Sequence, residues 1–102
     1  MKKAAVIWSE KALNDLEIIF DFISGKSFHT AEQIIPSVLQ RTAQLEHFPE
    51  SGQKQKISKS SKTYRYLAEG NYKIVYSYAN SVIYIHTVFD CRQDPEKLQS
   101  DL

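Results

Sequence analysis

Three strand-like runs follow one another in the second half of the chain, and they restrict the fold more than any other feature. The first run covers Thr63–Ala68 and ends at Gly70-Asn71, a pair of residues typical of a tight hairpin. The second covers Tyr72–Tyr78 and ends at Ala79-Asn80-Ser81. The third, Val82–Phe89, is rich in β-branched and aromatic residues. Because the connections are so short, these runs predict a three-stranded antiparallel meander.

A strand and a helix are expected at the start of the chain. Ala4–Trp8 is a short apolar run, which predicts a buried strand. In residues 10–24 the apolar side chains recur at helical spacing, with Ser9 as a suitable N-cap and Gly25 as a C′ residue that stops the helix. So apolar a first strand must pair within the later sheet.

A second helix follows after only a few residues. It is expected to begin near Ser27–Thr30 and to extend to about His47, and Thr30 with Gln33 fits a capping box. Pro36 lies inside this stretch and predicts either a kink or a helix start nearer residue 35. Because the connection is short, the two helices should form an antiparallel hairpin.

The remaining segments complete the order of elements. Pro49–Gly52 predicts a turn, and residues 53–62 are polar and lysine-rich, as in a loop or an edge strand protected by its lysines. Asp94–Leu98 predicts a short helix with Pro in its first turn. The order β-α-α-β-β-β plus a tail predicts one α+β domain over residues 1–102, with the helical hairpin packed on a mostly antiparallel sheet.

Charge is distributed unevenly along the chain. The net charge is +1, which argues against indiscriminate binding of nucleic acid. Residues 51–92, however, carry seven basic side chains against Glu69 and Asp90, a net charge of +5, whereas residues 1–50 carry −2. The basic side chains of this segment are Lys54, Lys56, Lys59, Lys62, Arg65, Lys73 and Arg92. We expect the activity of the protein within this segment.

Cysteine usage and hydropathy point to the cytoplasm. The single cysteine, Cys91, cannot form an internal disulfide, which suits a reducing compartment. The apolar run Ala4–Trp8 is too short for a signal peptide, and no segment approaches the ~20 apolar residues of a membrane span. No His, Cys, Asp and Glu grouping has metal-ligand spacing, so neither a metal nor a cofactor is expected.

Several short motifs together resemble one protein family. The helices carry Ala12-x3-Leu16-x2-Ile19 and Leu45-x3-Pro49-x2-Gly52. The meander carries Tyr64-Arg65-x-Leu67, Gly70-Asn71-Tyr72-Lys73-Ile74-Val75-Tyr76 and Val88-x3-Arg92-Gln93-Asp94-Pro95. In this order and at these intervals over residues 4–98, they resemble the RelE/ParE toxins of type II toxin–antitoxin systems, more closely the ParE-like members.

The resemblance implies a plasmid-stabilisation type of toxin and a set of partners. A cognate antitoxin would neutralise the toxin in a hetero-oligomer, by folding a disordered segment onto it. A ParE-like member would bind and inhibit DNA gyrase. Two alternatives stay open, which are a ribosome-dependent mRNA endonuclease of the RelE-like kind and an inactive member that only binds its antitoxin.

The same resemblance allows the residues of a metal-free ribonuclease to be compared. RelE-like nucleases carry a Lys-x-Lys pair on the first meander strand, and here Arg65 and Leu67 stand at these positions. Lys73 stands for an arginine of the second strand, Arg92 matches an arginine beyond the last strand, and Leu98 falls near a tail tyrosine. The resemblance thus implies that the basic side chains that stabilise charge on the phosphate are kept in part, and that the groups for proton transfer are missing.

His86 is the remaining candidate for proton transfer. An ordinary histidine pKa of about 6.5 suits general acid–base chemistry. Strand alternation places His86 with Tyr84 and Val88 on one face. The other face, with Ile83, Ile85, Thr87 and Phe89, is more apolar and is expected under the helices. A nuclease would then use Arg65, Lys73, His86 and Arg92.

The lysines of residues 54–62 predict contact with an anionic partner. Lys54, Lys56, Lys59 and Lys62, together with Arg65, Lys73 and Arg92, could contact a nucleic acid or another anionic target. An acidic antitoxin segment would also be attracted to this edge.

Overall fold

The computed structural model describes residues 3–102, which form five strands and three helices around one sheet. In chain order the elements are β1 (Ala5–Trp8), α1 (Glu10–Ser24), α2 (Phe28–Ala43), β2 (Gln53–Gln55), β3 (Tyr64–Glu69), β4 (Tyr72–Ala79), β5 (Val82–Asp90) and α3 (Pro95–Asp101). A single 3-10 turn, Gln44–Glu46, extends α2. The predicted α+β class and element order are confirmed.

The sheet has the strand order β1-β5-β4-β3-β2. The meander β3-β4-β5 is antiparallel, as its short connections predict, and β1 pairs with β5 in parallel. The lysine-rich segment does contribute an edge strand, β2, but only Gln53–Gln55 pairs with β3. Both turns of the meander use the left-handed conformation, at Gly70 (φ 58°) and at Asn80 (φ 53°).

The helix ends are partly as predicted. Ser9 caps α1 by accepting a hydrogen bond from the Ala12 amide. Helix α1 ends at Ser24, directly before Gly25 as predicted, although Gly25 is the C-cap with a right-handed backbone (φ −65°) and not a left-handed C′ residue. Ser27 caps α2 through the Thr30 amide, and the Thr30–Gln33 capping box does not form. Pro36 lies within the continuous helix α2.

Each face of the sheet carries its own hydrophobic cluster. The helical hairpin covers one face, where Leu16 and Val38 pack against Ile74, Tyr76 and Ile85. The other face is covered in part by α3 and by the segment after β2. The cluster there consists of Ile57, Tyr64, Val75, Phe89 and Leu98. The terminal helix therefore closes a face that the sequence pattern leaves open.

A register shift in β5 changes which side chains face the helices. Tyr76 pairs with Ile85 and Val75 pairs with Thr87, so His86 has no pairing partner on β4 and forms a bulge. Beyond the bulge, Val88 joins the helix-side cluster and Phe89 the opposite one. The strict alternation expected from the sequence is therefore wrong for these two residues.

Candidate functional site

The Arg65 side chain is hydrogen-bonded to the turn before β2. Its guanidinium donates to the carbonyl oxygens of Gly52 (2.9 Å) and Glu50 (3.2 Å), and it lies 3.5 Å from the Glu50 carboxylate. The side chain is only 18% exposed. Because Arg65 pairs with Tyr76, it lies on the helix side of the sheet. Its main observed role is to hold a turn in place.

Lys73 lies on the opposite face. It pairs with Phe89, a member of the cluster beneath α3. Its ammonium group donates to the Gln55 side-chain oxygen (2.9 Å) and lies 4.3 Å from the centre of the Tyr66 ring. Lys73 thus ties β4 to the edge strand β2.

His86 is packed between aromatic rings at the bulge. Its centroid lies 5.0 Å from that of Tyr64 and 4.7 Å from that of Tyr84, and its Nε2 shares a 2.7 Å hydrogen bond with the Ser77 hydroxyl. Burial, assisted by the positive charge of Lys62, lowers the pKa of His86 from 6.5 to about 4. His86 is therefore neutral at pH 7, and it is too weak a base to serve efficiently in proton transfer.

Arg92 is held by a carboxylate close to it in the chain. Its guanidinium donates to both Asp90 carboxylate oxygens, at 2.9 Å and 2.8 Å, and approaches the Tyr72 hydroxyl at 3.5 Å. These hydrogen bonds lower the pKa of the Asp90 carboxyl below its ordinary value. A phosphate bound by Arg92 would have to compete with this carboxylate.

The four nuclease candidates do not form one constellation. Arg65 lies on the helix side of the sheet, whereas Lys73 and His86 lie on the other side in separate sets of contacts. The two leucines that replace nuclease side chains, Leu67 and Leu98, are both buried in the hydrophobic clusters. Within residues 3–102, no group of His, Cys, Asp and Glu side chains could hold a metal ion.

The lysines that follow the helical hairpin are arranged differently. We call residues 54–62 the lysine loop. Its four lysines, Lys54, Lys56, Lys59 and Lys62, are all exposed. Ile57 anchors the loop beneath the sheet, and the Gln99 side chain of α3 bonds to Ser58 and to the Lys56 carbonyl. The basic side chains thus project from a backbone that is fixed at its centre.

Two structural residues escape the sequence analysis. Asp15 on α1 accepts hydrogen bonds from the Thr87 hydroxyl (2.6 Å) and the Val88 amide (3.0 Å). Its carboxylate accepts the Val88 amide hydrogen bond of β5 at a point beyond the end of β1, where no neighbouring strand is present to accept it. Gln99 of α3 is the other. Neither residue belongs to a local motif, because each bonds to a segment far away in the chain, so no sequence signal marks them.

None of the helices within the described part of the chain, residues 3–102, has the length and apolar character needed to cross a membrane.

Comparison with known proteins assigns the family. A model of the family described as "ParE toxin of type II toxin-antitoxin system, parDE" matches residues 6–95. No curated protein sequence matches significantly. Among solved structures, the chain is similar to one described as "Chromosomal ParDE TA system from P. aeruginosa", with a TM-score of 0.72 and 16% identity. That alignment covers 86% of this chain and 96% of the other. Because the family model matches most of its length and the fold agrees, the chain belongs to the ParE family of type II toxins.

Proposed function

We propose that this ParE-family toxin arrests growth by binding and inhibiting DNA gyrase, without nuclease chemistry of its own. Gyrase is the target implied by the resemblance to ParE-like members. The observation that carries the proposal against a nuclease is the dispersal of Arg65, Lys73, His86 and Arg92 over both faces of the sheet.

A metal-free ribonuclease needs groups that converge on one phosphate. It must activate a 2′-hydroxyl, stabilise the developing charge and protonate the leaving oxygen. Here Arg92 is neutralised by Asp90, and Lys73 is engaged with Gln55. His86 is neutral and packed between Tyr64 and Tyr84. These contacts favour a protein that acts by binding.

We further propose that the antitoxin implied by the family neutralises the toxin in a hetero-oligomer. Both gyrase and the ribosome work in the cytoplasm, so we place the action of the toxin there. Neutralisation provides the internal control for every activity measurement, because an effect of the toxin must disappear when the antitoxin is present.

The gyrase proposal is tested with purified components. The full chain, freed from its antitoxin, is added to DNA gyrase and relaxed plasmid, and supercoiling and cleaved DNA are measured with and without re-added antitoxin. We expect loss of supercoiling that the antitoxin reverses. In cells, arrest with early loss of translation and cleaved mRNA, while gyrase stays active, would instead establish the mRNA endonuclease.

A variant separates the two activities further. We expect Lys73→Gln/His86→Gln to arrest growth as the parent chain does. Removing a group that transfers protons in a nuclease would instead lower activity by about 100-fold or more. A chain that neither arrests growth nor affects gyrase, yet binds the antitoxin, would be the inactive family member.

A further inference from the structure

The lysine loop carries positive charge that the rest of the molecule does not neutralise. No acidic residue occurs between Ser51 and Ala68. Across residues 3–102, none of the four loop lysines forms an ion pair. The basic side chains that do pair with carboxylates lie elsewhere and are Lys3, Lys11, Arg41, Arg65 and Arg92. The charge of the loop is therefore available to a partner.

Two basic side chains occupy paired positions on β2 and β3. Lys54 on β2 is directly opposite Arg65 on β3, an arrangement that destabilises a sheet. Glu50 approaches Arg65 at 3.5 Å, but it makes no ion pair with Lys54. A bound anion at this position would offset the like charges of the pair.

The loop is fixed in position before any partner arrives. Ile57 is 6% exposed and packs with Leu98 and Phe89. The Gln99 side-chain oxygen accepts from the Ser58 amide (2.9 Å) and hydroxyl (3.1 Å), and its nitrogen donates to the Lys56 carbonyl (2.9 Å). Because this backbone is already ordered, binding through it loses less conformational entropy.

The chemistry of the surface favours a phosphate backbone over a peptide. Ile57 is the only apolar side chain in residues 53–63, and it points into the core. A peptide that folds on its partner needs pockets for apolar anchors, whereas a phosphodiester backbone needs only accessible positive charge. Lysine ammonium groups supply that charge without a preference for base sequence.

We infer that the lysine loop binds the phosphodiester backbone of nucleic acid, and that it contacts the DNA held by gyrase. Gln99 is the positioning residue, because it holds the backbone between Lys56 and Ser58. The location on gyrase rests on the proposed function. The affinity for DNA does not, so the two ideas can fail separately.

The test compares two triple variants with the same change in net charge. Lys56→Gln/Lys59→Gln/Lys62→Gln removes charge from the loop, and Lys3→Gln/Lys26→Gln/Lys97→Gln removes it elsewhere. Binding of each purified full chain to a fluorescent duplex of random sequence is measured by anisotropy over a range of salt concentrations. Thermal unfolding of each variant verifies that the fold is retained.

We expect the loop variant to lose about 10-fold or more in affinity at low salt, and its log–log salt dependence to flatten by about 2–3 units. The control variant should retain most of its affinity. Gln99→Leu should weaken binding severalfold with an unchanged salt slope, because it leaves all four charges in place while loosening the loop.

Several results would overturn the inference. Equal losses in both triple variants would show that net charge alone matters. A loop variant that binds DNA normally but loses affinity for the antitoxin would show a peptide surface. Stronger binding to single-stranded RNA, with the same sensitivity to the loop lysines, would overturn the placement on DNA. DNA binding as expected, with gyrase unaffected, would refute the proposed function but would support the lysine loop as a surface that binds DNA.

Discussion

At the scale of single residues, the basic and titratable side chains are defined by their partners. A sequence motif can indicate Arg65 and Arg92 as phosphate ligands, but it cannot show that Gly52 and Asp90 already accept their hydrogen bonds. The contact with Gly52 depends on where the chain returns in space, and the contact with Asp90, two residues before Arg92, depends on how the turn after β5 orients the two side chains. The residue types at the candidate site were therefore predictable, but whether their charged groups are free to bind a phosphate was not.

His86 predicts a specific dependence of stability on pH. Its pKa in the folded protein is about 4, below the ordinary value of 6.5, so the unfolded chain takes up a proton first as the pH falls. The contribution of neutral His86 is fully present above pH 6.5 and is lost as the pH falls towards 4. Urea unfolding of the parent chain and of His86→Gln, measured from pH 7.5 to 4, should show a steeper decline for the parent. Parallel curves would contradict this assignment.

Gly52 predicts a steric effect. Its amide donates to the Tyr76 hydroxyl at 2.9 Å, and a Cβ atom there would lie 2.6 Å from that oxygen and 2.8 Å from the Tyr66 carbonyl oxygen. We expect Gly52→Ala to lower the free energy of unfolding by about 1–3 kcal/mol. Gly25→Ala is the matched control, because its nearest contact would be an ordinary 3.5 Å. Equal stability of the two variants in urea would refute the steric argument.

At the scale of elements, the sequence predicted most of the fold and missed local irregularities. Apolar periodicity and the Gly70-Asn71 signal identified the helical hairpin and the meander. The bulge at His86 left no signal, because a strand with one extra residue reads like a regular strand. That single residue reversed the expected faces of Val88 and Phe89.

The hydrogen bonds of Asp15 join α1 to β5, and their contribution to stability can be tested. Its carboxylate replaces a strand neighbour by accepting from Val88 and Thr87. Removing it in Asp15→Ala leaves the Val88 amide without this acceptor, so we expect about 1–3 kcal/mol of destabilisation. Glu17→Ala, on an exposed position of the same helix, should change stability little. An Asp15 variant as stable as the Glu17 variant in denaturant titrations would contradict this role.

At the scale of the whole molecule, α3 both stabilises the fold and positions the lysine loop. Leu98 is 3% exposed within the cluster of Ile57 and Phe89, and its neighbour Gln99 fixes the lysine loop. The tail was predicted as a helix from its Pro and Asp residues. The surface on which α3 packs could not be predicted, because a single apolar residue does not indicate which face of the sheet the helix will cover.

Leu98 gives this arrangement a test. We expect Leu98→Ala to cost about 2–5 kcal/mol, because it removes a buried side chain from a small cluster. Amides of residues 57–60 should also exchange hydrogen faster in the variant. Leu13→Ala, on a half-exposed position of α1, is the control and should affect neither measurement strongly. Unchanged exchange in the loop, together with lower stability, would show that α3 stabilises the fold without positioning the lysines.

The parallel pairing of β1 with β5 has a consequence for synthesis of the toxin. Ser9 and His86, which are hydrogen-bonded at this junction, lie 77 residues apart in the chain. A ribosome adding roughly 5–20 residues per second needs about 4–15 seconds to make the second after the first. During that interval the helical hairpin can form, but the first strand has no partner. The nascent toxin is therefore incomplete until its last strand emerges, and an antitoxin already present can meet it at that moment.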